Sequence, residues 1–169
     1  MHSPNSMMDK KPNGSRKTVN YVPEDEAKAA LHANKDGVIC VPAMAILGCM
    51  REAAKDHKVP GKGKKTLTKY VLSGLRVEPD MIPLTPQEWV VDARPVVVQR
   101  ARVIRWRPRF DEWALTFKVN LVDESIFNPT LVRNVIEDAG KFVGLLDFRP
   151  YFGLFEVTSV VDDAGKEIK

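Results

Sequence analysis

The expected fold depends on the stretch Ala139–Val157, which reads AGKFVGLLDFRPYFGLFEV. Its first residues are typical of a helix end, and Gly144 can supply the positive φ angle that ends a helix. Pro150 excludes helical backbone at the residue before it, Arg149. Aromatic side chains surround this arginine, and they either pack down to fix the loop or stay exposed for a partner. The three rings are Phe148, Tyr151 and Phe152.

A helix is expected before this stretch and a strand is expected at its end. Asn128 is a favourable N-cap, and Pro129 suits the first helical position. Apolar residues then recur at spacings of three and four, as one buried helix face requires, at Val132, Val135, Ile136, Ala139 and either Phe142 or Val143. The pattern predicts a helix over 129–143 and a last strand over 154–161.

The earlier part of the chain supplies another helix and three strands. Residues 38–41 are apolar like a buried strand, and Pro42 begins a helix that continues to Lys55. Gly48 lies inside that helix, where close packing would justify a glycine. Further strands are expected over 96–106 and 113–121, with a turn at 108–112 between them. Alternating apolar and polar residues make the second of these a half-buried strand.

This order of elements, βαββαβ, predicts an α+β protein with a ferredoxin-like arrangement. In that arrangement the helices cover one face of an antiparallel sheet. Residues 1–20 are polar and lack apolar periodicity, so a disordered lead is expected there. The remainder, 21–169, is expected to form a single domain with a basic insertion at 56–95.

Composition narrows the class of protein. A chain of 169 residues, 44% of them hydrophobic, is long enough for a core. No apolar run approaches the ~20 residues of a transmembrane helix, and the N-terminus lacks the apolar segment of a secretory signal. Cys40 and Cys49 have neither a CxxC motif nor a histidine cluster beside them. They are expected to be reduced core thiols of a cytoplasmic protein that holds no metal or cofactor.

Charge is unevenly distributed along the chain. Residues 51–109 contain 14 basic and 6 acidic side chains, whereas residues 110–169 contain 6 basic and 11 acidic ones. A concentrated basic block suits a polyanion. It also suits the acidic third of a neighbouring copy, or it is simply a solvated charged face.

The first basic cluster is the run His57–Lys65, HKVPGKGKK, with Lys69 shortly after it. The run does not match the phosphate-binding motif GxxxxGK[ST] and does not directly follow a strand, so a nucleotide site is not expected. It is interpreted either as a lysine-rich loop that contacts a nucleic-acid backbone or as a mobile surface loop. The candidate RNA contacts in and near this cluster are Arg51, Lys62, Lys64, Lys65 and Lys69.

The second basic cluster follows the expected strand over 96–106. The period of two predicts that Arg100 and Arg102 share one face of a strand and that Arg105, Arg107 and Arg109 share the other. Arginine beside Trp106 is a composition that binds phosphates and stacks on bases. The alternative is a display of charge that protects an edge strand from aggregation. The candidate RNA contacts of this cluster and of the loop around Arg149 are Arg100, Arg102, Arg105, Trp106, Arg107, Arg109, Arg149, Tyr151 and Phe152.

Two segments resemble the RAMP superfamily, the RNA-binding backbone proteins of CRISPR effector complexes. Val41–Arg51, VPAMAILGCMR, looks like the segment that opens the first helix of that superfamily. Gly144–Val157 looks like its glycine-rich loop and following strand, with Arg149 and Gly153 as the arginine and the second glycine. The motifs RPRFDEW at 107–113 and DFRPYFGLFEV at 147–157 also resemble small uncharacterised proteins of phages and prophages.

The RAMP resemblance implies a non-catalytic protein that assembles head to tail along a guide-like, single-stranded RNA. The ribonucleoprotein would be CRISPR-like and encoded by a bacterium or a phage, and a complementary target nucleic acid is a further expected partner. The basic middle of one copy would contact the acidic end of the next. Loss of charge at Arg102, Arg105 and Arg107 is then expected to weaken RNA binding and to flatten its salt dependence.

Two other classes stay open from the sequence. A ribonuclease of the RAMP type would need a general base, and His57 is the histidine nearest the basic region. The carboxylates Asp111, Glu112 and Asp147 lack the spacing of a metal site. A phage structural or assembly protein would use its charged faces only for self-association, and co-purifying RNA would distinguish it from the first class.

Overall fold

The structure is a computed structural model, and it describes residues 22–168. The described residues mix helices with short strands, which confirms the α+β class. In chain order the elements are α1 (Pro23–Ala29), β1 (Cys40–Pro42), α2 (Ala43–Ala53), a 3₁₀ turn (Leu67–Lys69), α3 (Val71–Gly74), β2 (Leu75–Glu78), β3 (Met81–Pro83), β4 (Val90–Val98), β5 (Ala101–Arg109), β6 (Lys118–Leu121), α4 (Pro129–Asp138) and a π-helical turn (Ala139–Val143). The segment 1–20, expected to be a disordered lead, lies outside the described residues.

The chain divides into two compact units. Unit 1 comprises residues 22–40 and 84–115, and unit 2 comprises residues 41–83 and 116–168. The expected basic insertion at 56–95 is shared between them, since 56–83 belongs to unit 2 and 84–95 to unit 1. Within 22–168, none of the helices is long and apolar enough to cross a membrane.

Unit 1 is built on a β-hairpin formed by β4 and β5. The two strands pair antiparallel from Val90 opposite Arg109 to Val98 opposite Ala101. The connecting residues, Gln99 and Arg100, have positive φ angles of 49° and 68°. Two consecutive residues with positive φ are typical of the tight turn that matches the twist of a hairpin. The prediction of one strand over 96–106 is therefore wrong, because the chain reverses in the middle of that run.

Helix α1 packs on one face of this hairpin. Proline lies in its first turn and three acidic residues follow, which suits the positive end of a helix. Ala27 is fully buried, and Glu26 faces the arginines of β5. The helix thus places the carboxylate of Glu26 beside the arginines of β5.

Unit 2 has its core around α2. Ile46, Met50 and Cys49 of this helix are almost fully buried, together with Phe127 and Val135. Strand β1 pairs with β3, and β2 pairs antiparallel with β6. Gly48 does not serve close packing as expected, because a Cβ atom built there would meet nothing within 4 Å.

The helix predicted over 129–143 is confirmed up to Asp138. The side chain of Asn128 accepts a hydrogen bond from the N–H of Leu131 at 2.8 Å, as an N-cap does. Val132, Val135 and Ile136 are buried on one face. From Ala139 the chain continues as a π-helical turn, which carries one residue more per turn than an α-helix and so changes the side that faces the core.

The ferredoxin-like order is not confirmed by the described residues. The strands form separate two-stranded sheets in place of one continuous sheet. In the expected strand 113–121, only residues 118–121 belong to a ladder, although burial alternates over residues 113–119 as predicted. The expected strand 154–161 carries no ladder, and only Val161 forms an isolated bridge, with Glu167. Alternation along a sequence indicates which side chains are buried, but it does not identify the partner strand.

Candidate nucleic-acid interface

The lysine loop, residues 57–69 of unit 2, has a fixed backbone. The N–H of Val59 donates to the carbonyl of Lys65 at 2.8 Å, and the N–H of Leu67 donates to the carbonyl of His57 at 2.9 Å. The buried side chains of Val59 and Leu67 anchor both sides of the loop. Two glycines between them have φ angles of 69° and 62°, which glycine adopts without strain. The loop is an ordered turn, so its lysines project from a defined surface.

The charge of this loop is not neutralised by neighbouring acids. Its five lysines are all exposed, and none of them forms an ion pair with a carboxylate in residues 22–168. The ammonium groups of Lys62 and Lys69 lie 5.4 Å and 4.8 Å from the centre of the Tyr70 ring. This aromatic contact orients two of the lysines without cancelling their charge. The five residues are Lys58, Lys62, Lys64, Lys65 and Lys69.

His57 joins the base of the lysine loop to the end of α4. Its Nε2 atom lies 2.8 Å from Oδ2 of Asp138, the last residue of that helix. The side chain of His57 is only 16% exposed. The histidine expected as a candidate general base is thus part of the link that places the lysine loop beside the π-helical turn.

The aromatic loop, residues 144–153, is closed by its two glycines. The N–H of Leu145 donates to the carbonyl of Gly153 at 2.8 Å. Both Gly144 and Gly153 have a φ angle of 77°, and a Cβ atom on Gly153 would collide with the carbonyl oxygen of Leu145. A side chain at position 153 would therefore open the loop. These glycines hold the ends of the loop together.

Two of the three rings in the loop are exposed. Tyr151 is 79% exposed and Phe148 is 41% exposed, whereas Phe152 is half-buried and packs edge-on against Tyr151 with ring centres 4.9 Å apart. Arg149 is also exposed. The loop therefore presents aromatic faces beside a guanidinium group, which is the combination that binds unstacked bases.

The π-helical turn adds a residue that sequence reasoning assigned to the core. Either Phe142 or Val143 was expected to end the buried face of the helix. Val143 is half-buried, whereas the side chain of Phe142 is 71% exposed. The extra residue in the turn accounts for this, because it rotates the following positions away from the face set by Val132 and Val135. Lys141, next to it, is exposed as well. No signal in the spacing of the apolar residues indicates the change of helix type.

The aromatic loop lies beside the second half of α2. Arg149 acts electrostatically on both Cys49 and Glu52 of that helix. The hydrogen bond from Lys55 lowers the pKa of Glu52, with smaller contributions from neighbouring cations. Arg51, predicted as an RNA contact, is exposed on the same helix.

Cys49 connects α2 to the carbonyl groups at the start of the aromatic loop. Its Sγ atom donates to the carbonyl oxygen of Gly144 at 3.1 Å. Burial raises the pKa of the Cys49 thiol to about 11, against opposing effects of Arg149 and of the Gly144 hydrogen bond. The thiol therefore stays protonated and acts as a donor. Both cysteines are buried and free, as expected.

The arginine hairpin, residues 90–109 of unit 1, differs from the lysine loop because carboxylates form ion pairs with its arginine side chains. Arg105 and Arg107 donate to Oε1 of Glu26 at 3.2 Å and 3.3 Å. Arg109 contacts Asp92 at 3.3 Å and Asp111 at 2.8 Å. Hydrogen bonds to Asp111 raise the pKa of Arg109, with a smaller effect of Asp92.

The register agrees with the prediction that Arg105, Arg107 and Arg109 share one face. Trp106 lies on the opposite face and is half-buried. Arg100 sits in the turn, so it does not share a strand face with Arg102 as expected. Both of these arginines are exposed at the tip of the hairpin, and neither pairs with an acid in the described part of the chain. The predicted arginine cluster thus separates into a paired set and an unpaired tip.

No group of three or more histidine, cysteine or carboxylate side chains within 22–168 could hold a metal ion. Comparison of the chain with protein-family models, with curated proteins and with solved structures gives no significant match. Function is therefore inferred from the geometry of the two basic regions and the aromatic loop.

Proposed function

We propose that this protein binds single-stranded RNA through the lysine loop and the aromatic loop of unit 2. The observation that carries the proposal is the presence, in one compact unit, of five lysines without acidic partners in the described chain and of an exposed loop with Tyr151 and Arg149. Phosphates attract uncompensated cations, and exposed rings stack on bases that are not held in a duplex. Such an interface binds single strands and tolerates many sequences.

The two loops are attached to the same end of α4. His57 at the base of the lysine loop contacts Asp138, and the π-helical turn that follows Asp138 leads directly into the aromatic loop. A strand of RNA could place its phosphates on the lysines and its bases on Phe142, Phe148 and Tyr151. Arg51 and Arg149 supply cations beside these rings, and Arg100 and Arg102 of unit 1 are separate, secondary contacts.

The wider form of the proposal is an RNA-guided assembly. The likeness of Val41–Arg51 and Gly144–Val157 to RAMP proteins supports a ferredoxin-like origin and a cytoplasmic ribonucleoprotein of the CRISPR-like type. In it, copies would follow one another head to tail along a guide-like RNA, and the acidic C-terminal third would contact the basic middle of the next copy. A complementary target nucleic acid would pair with the bases of the guide.

Fluorescence anisotropy with a labelled single-stranded RNA tests the proposal at the aromatic loop. Tyr151→Ala should weaken binding by about 1–3 kcal/mol, because one stacked base is lost. Tyr151→Phe keeps the ring and should bind like the unchanged protein. Equal affinity of all three proteins, or equal affinity for single-stranded and double-stranded RNA, would contradict the role of the loop.

A structural or assembly protein is the second candidate function. It is favoured by the exposed apolar side chains of the arginine hairpin, such as those of Val97 and Ile104. Purified protein that carries no RNA and does not bind added RNA would favour this candidate. A ribonuclease is the third, and RNA cleavage that is abolished by His57→Ala would favour it.

A further inference from the structure

The arginine hairpin has one face that is apolar and exposed. The register places Arg105, Arg107 and Arg109 together with Asp92 on the face that meets Glu26. On the opposite face of residues 90–109, the only charged side chain is Arg102, and Val97 and Ile104 are 68% and 55% exposed. This outer face comprises Val91, Ala93, Pro95, Val97, Arg102, Ile104, Trp106 and Pro108.

The edges of the hairpin are unsuited to another strand. Each strand contains a proline, Pro95 in β4 and Pro108 in β5. Proline has no N–H to donate, and it commonly protects the edges of sheets from pairing with further strands. A partner of this hairpin is therefore expected on its outer face and not along an edge.

Charge is polarised along the hairpin. Arg100 and Arg102 make the tip cationic, whereas the open end carries the exposed carboxylates of Glu88 and Glu112. When two such hairpins lie face to face in opposite directions, each tip meets the open end of the other. The same contact then occurs twice, as a two-fold interface between identical chains requires. Hairpins in the same direction would instead bring arginines together.

We propose that a second copy of this chain docks on the outer face, with the two hairpins packed face to face and antiparallel about a two-fold axis. Packed sheets lie about 10 Å apart. In this arrangement β5 covers β5, so Ile104 lies near Trp106 of the partner subunit. Because both copies use the same face, the two-fold interface leaves no face free for a third copy. Its contacts come from the hairpin alone, so the proposal does not rest on RNA binding.

The expected dimer is weak because the face is small. Two strands of nine residues cover roughly 30 Å by 10 Å, well below the ~800 Å² that each partner contributes to a standard interface. Dimerisation should therefore be weak, and the fraction of dimer should rise with protein concentration.

Sedimentation equilibrium of nuclease-treated, RNA-free protein at several concentrations tests this interface. The unchanged chain should fit a monomer–dimer equilibrium. Val97→Lys combined with Ile104→Lys should raise the dissociation constant at least tenfold, and both sites are exposed enough that the substitutions should not affect folding. Val122→Lys, at a residue that is 58% exposed in unit 2, is the matched control and should leave the dimer unchanged.

Charge exchange and cross-linking test the direction of packing. Arg102→Glu should weaken the dimer, and Arg102→Glu combined with Glu112→Arg should restore it. A single Ile104→Cys should cross-link to its own copy through a short bismaleimide, whereas the parent, with Cys40 and Cys49 buried, should not. A monomer at every concentration, a dimer that survives the two lysines, or open chains that grow with concentration would each overturn the proposal.

Discussion

The lysine loop and the arginine hairpin have nearly the same number of cations but different electrostatic surroundings. Residues 57–69 contain five lysines and no acid, and residues 90–109 contain six arginines and one aspartate. In the loop, the described structure offers no carboxylate to any lysine. In the hairpin, Glu26 is shared by Arg105 and Arg107, and Asp92 contacts both Arg94 and Arg109.

Basic composition therefore does not measure the charge that is available to a ligand. Glu26 is distant from the hairpin in sequence, and α1 brings it onto β5. A polyanion that binds Arg105 or Arg107 must first replace a carboxylate, whereas one that binds Lys62 or Lys64 displaces only mobile counterions. The lysine loop is thus the stronger candidate for phosphate contact.

Substitution of glycines in the two loops of unit 2 should change stability most. Gly153→Ala should destabilise the protein by about 3 kcal/mol or more, because the new methyl group collides with the backbone of Leu145 at a positive φ angle. Gly61→Ala is the matched control in the lysine loop. It has a similar φ angle of 69° but open space around it, so it should cost only about 1 kcal/mol. Denaturant unfolding measures both, and equal costs would contradict the closed aromatic loop.

Glu26→Gln should give the hairpin arginines without a carboxylate partner, as the lysines of the loop already are in the described part of the chain. It leaves Arg105 and Arg107 without their carboxylate, so stability should fall by about 1–3 kcal/mol while affinity for RNA rises. Asp111→Asn removes a carboxylate that is 66% exposed, and it should change stability by less than about 1 kcal/mol. Thermal unfolding and RNA titration of the two variants provide the measurement. Unchanged RNA affinity in Glu26→Gln would show that the hairpin is not a latent binding surface.

The buried thiol predicts a pH effect confined to unit 2. Because the pKa of Cys49 is raised from 9.0 to about 11 in the folded protein, the unfolded chain loses this proton first as pH rises. The contribution of Cys49 to stability is complete below pH 9 and declines between pH 9 and 11, by on the order of 1–2 kcal/mol. Cys49→Ala should reduce this alkaline decline in urea unfolding. Cys40→Ala, the control at the other buried cysteine, should retain it.

A modest gain in stability is expected at Gly48. Gly48 lies in the middle of α2, and a methyl group added to it would meet nothing within 4 Å. Gly48→Ala should stabilise the protein by about 1 kcal/mol through helix propensity alone, without any change in RNA affinity. A loss of stability would show that this face of α2 is more crowded than the structure indicates.

The sequence alone predicted the elements whose start, end or burial is determined by neighbouring residues of the chain. Asn128–Pro129 predicted the start of α4, the apolar spacing after Pro42 predicted α2, and burial alternates over 113–119 as expected. The aromatic loop was also found, because glycines and the Arg149–Pro150 pair have direct backbone consequences. These signals depend on residues that are neighbours in the chain.

The features that were missed depend on contacts between distant residues or on rare backbone forms. The hairpin turn at Gln99–Arg100 contains neither glycine nor asparagine, so nothing indicated its positive φ angles. The π-helical turn that exposes Phe142 has no sequence signature in the apolar spacing. The ion pairs of Glu26 join residues about 80 positions apart. The alternation of apolar and polar residues likewise did not predict which short strands pair with each other.

The salt dependence of RNA affinity distinguishes phosphate contacts by the lysine loop from contacts by the arginine hairpin. Each phosphate contact contributes about 0.7 to the slope of log K against log salt for a single strand. Combined substitution of Lys62, Lys64 and Lys65 by alanine should reduce the slope by about 2 and weaken binding strongly. Arg105→Ala combined with Arg107→Ala should leave the slope unchanged. A reduced slope in the arginine variant with an unchanged slope in the lysine variant would contradict the claim that uncompensated charge, and not basic composition, marks the RNA site.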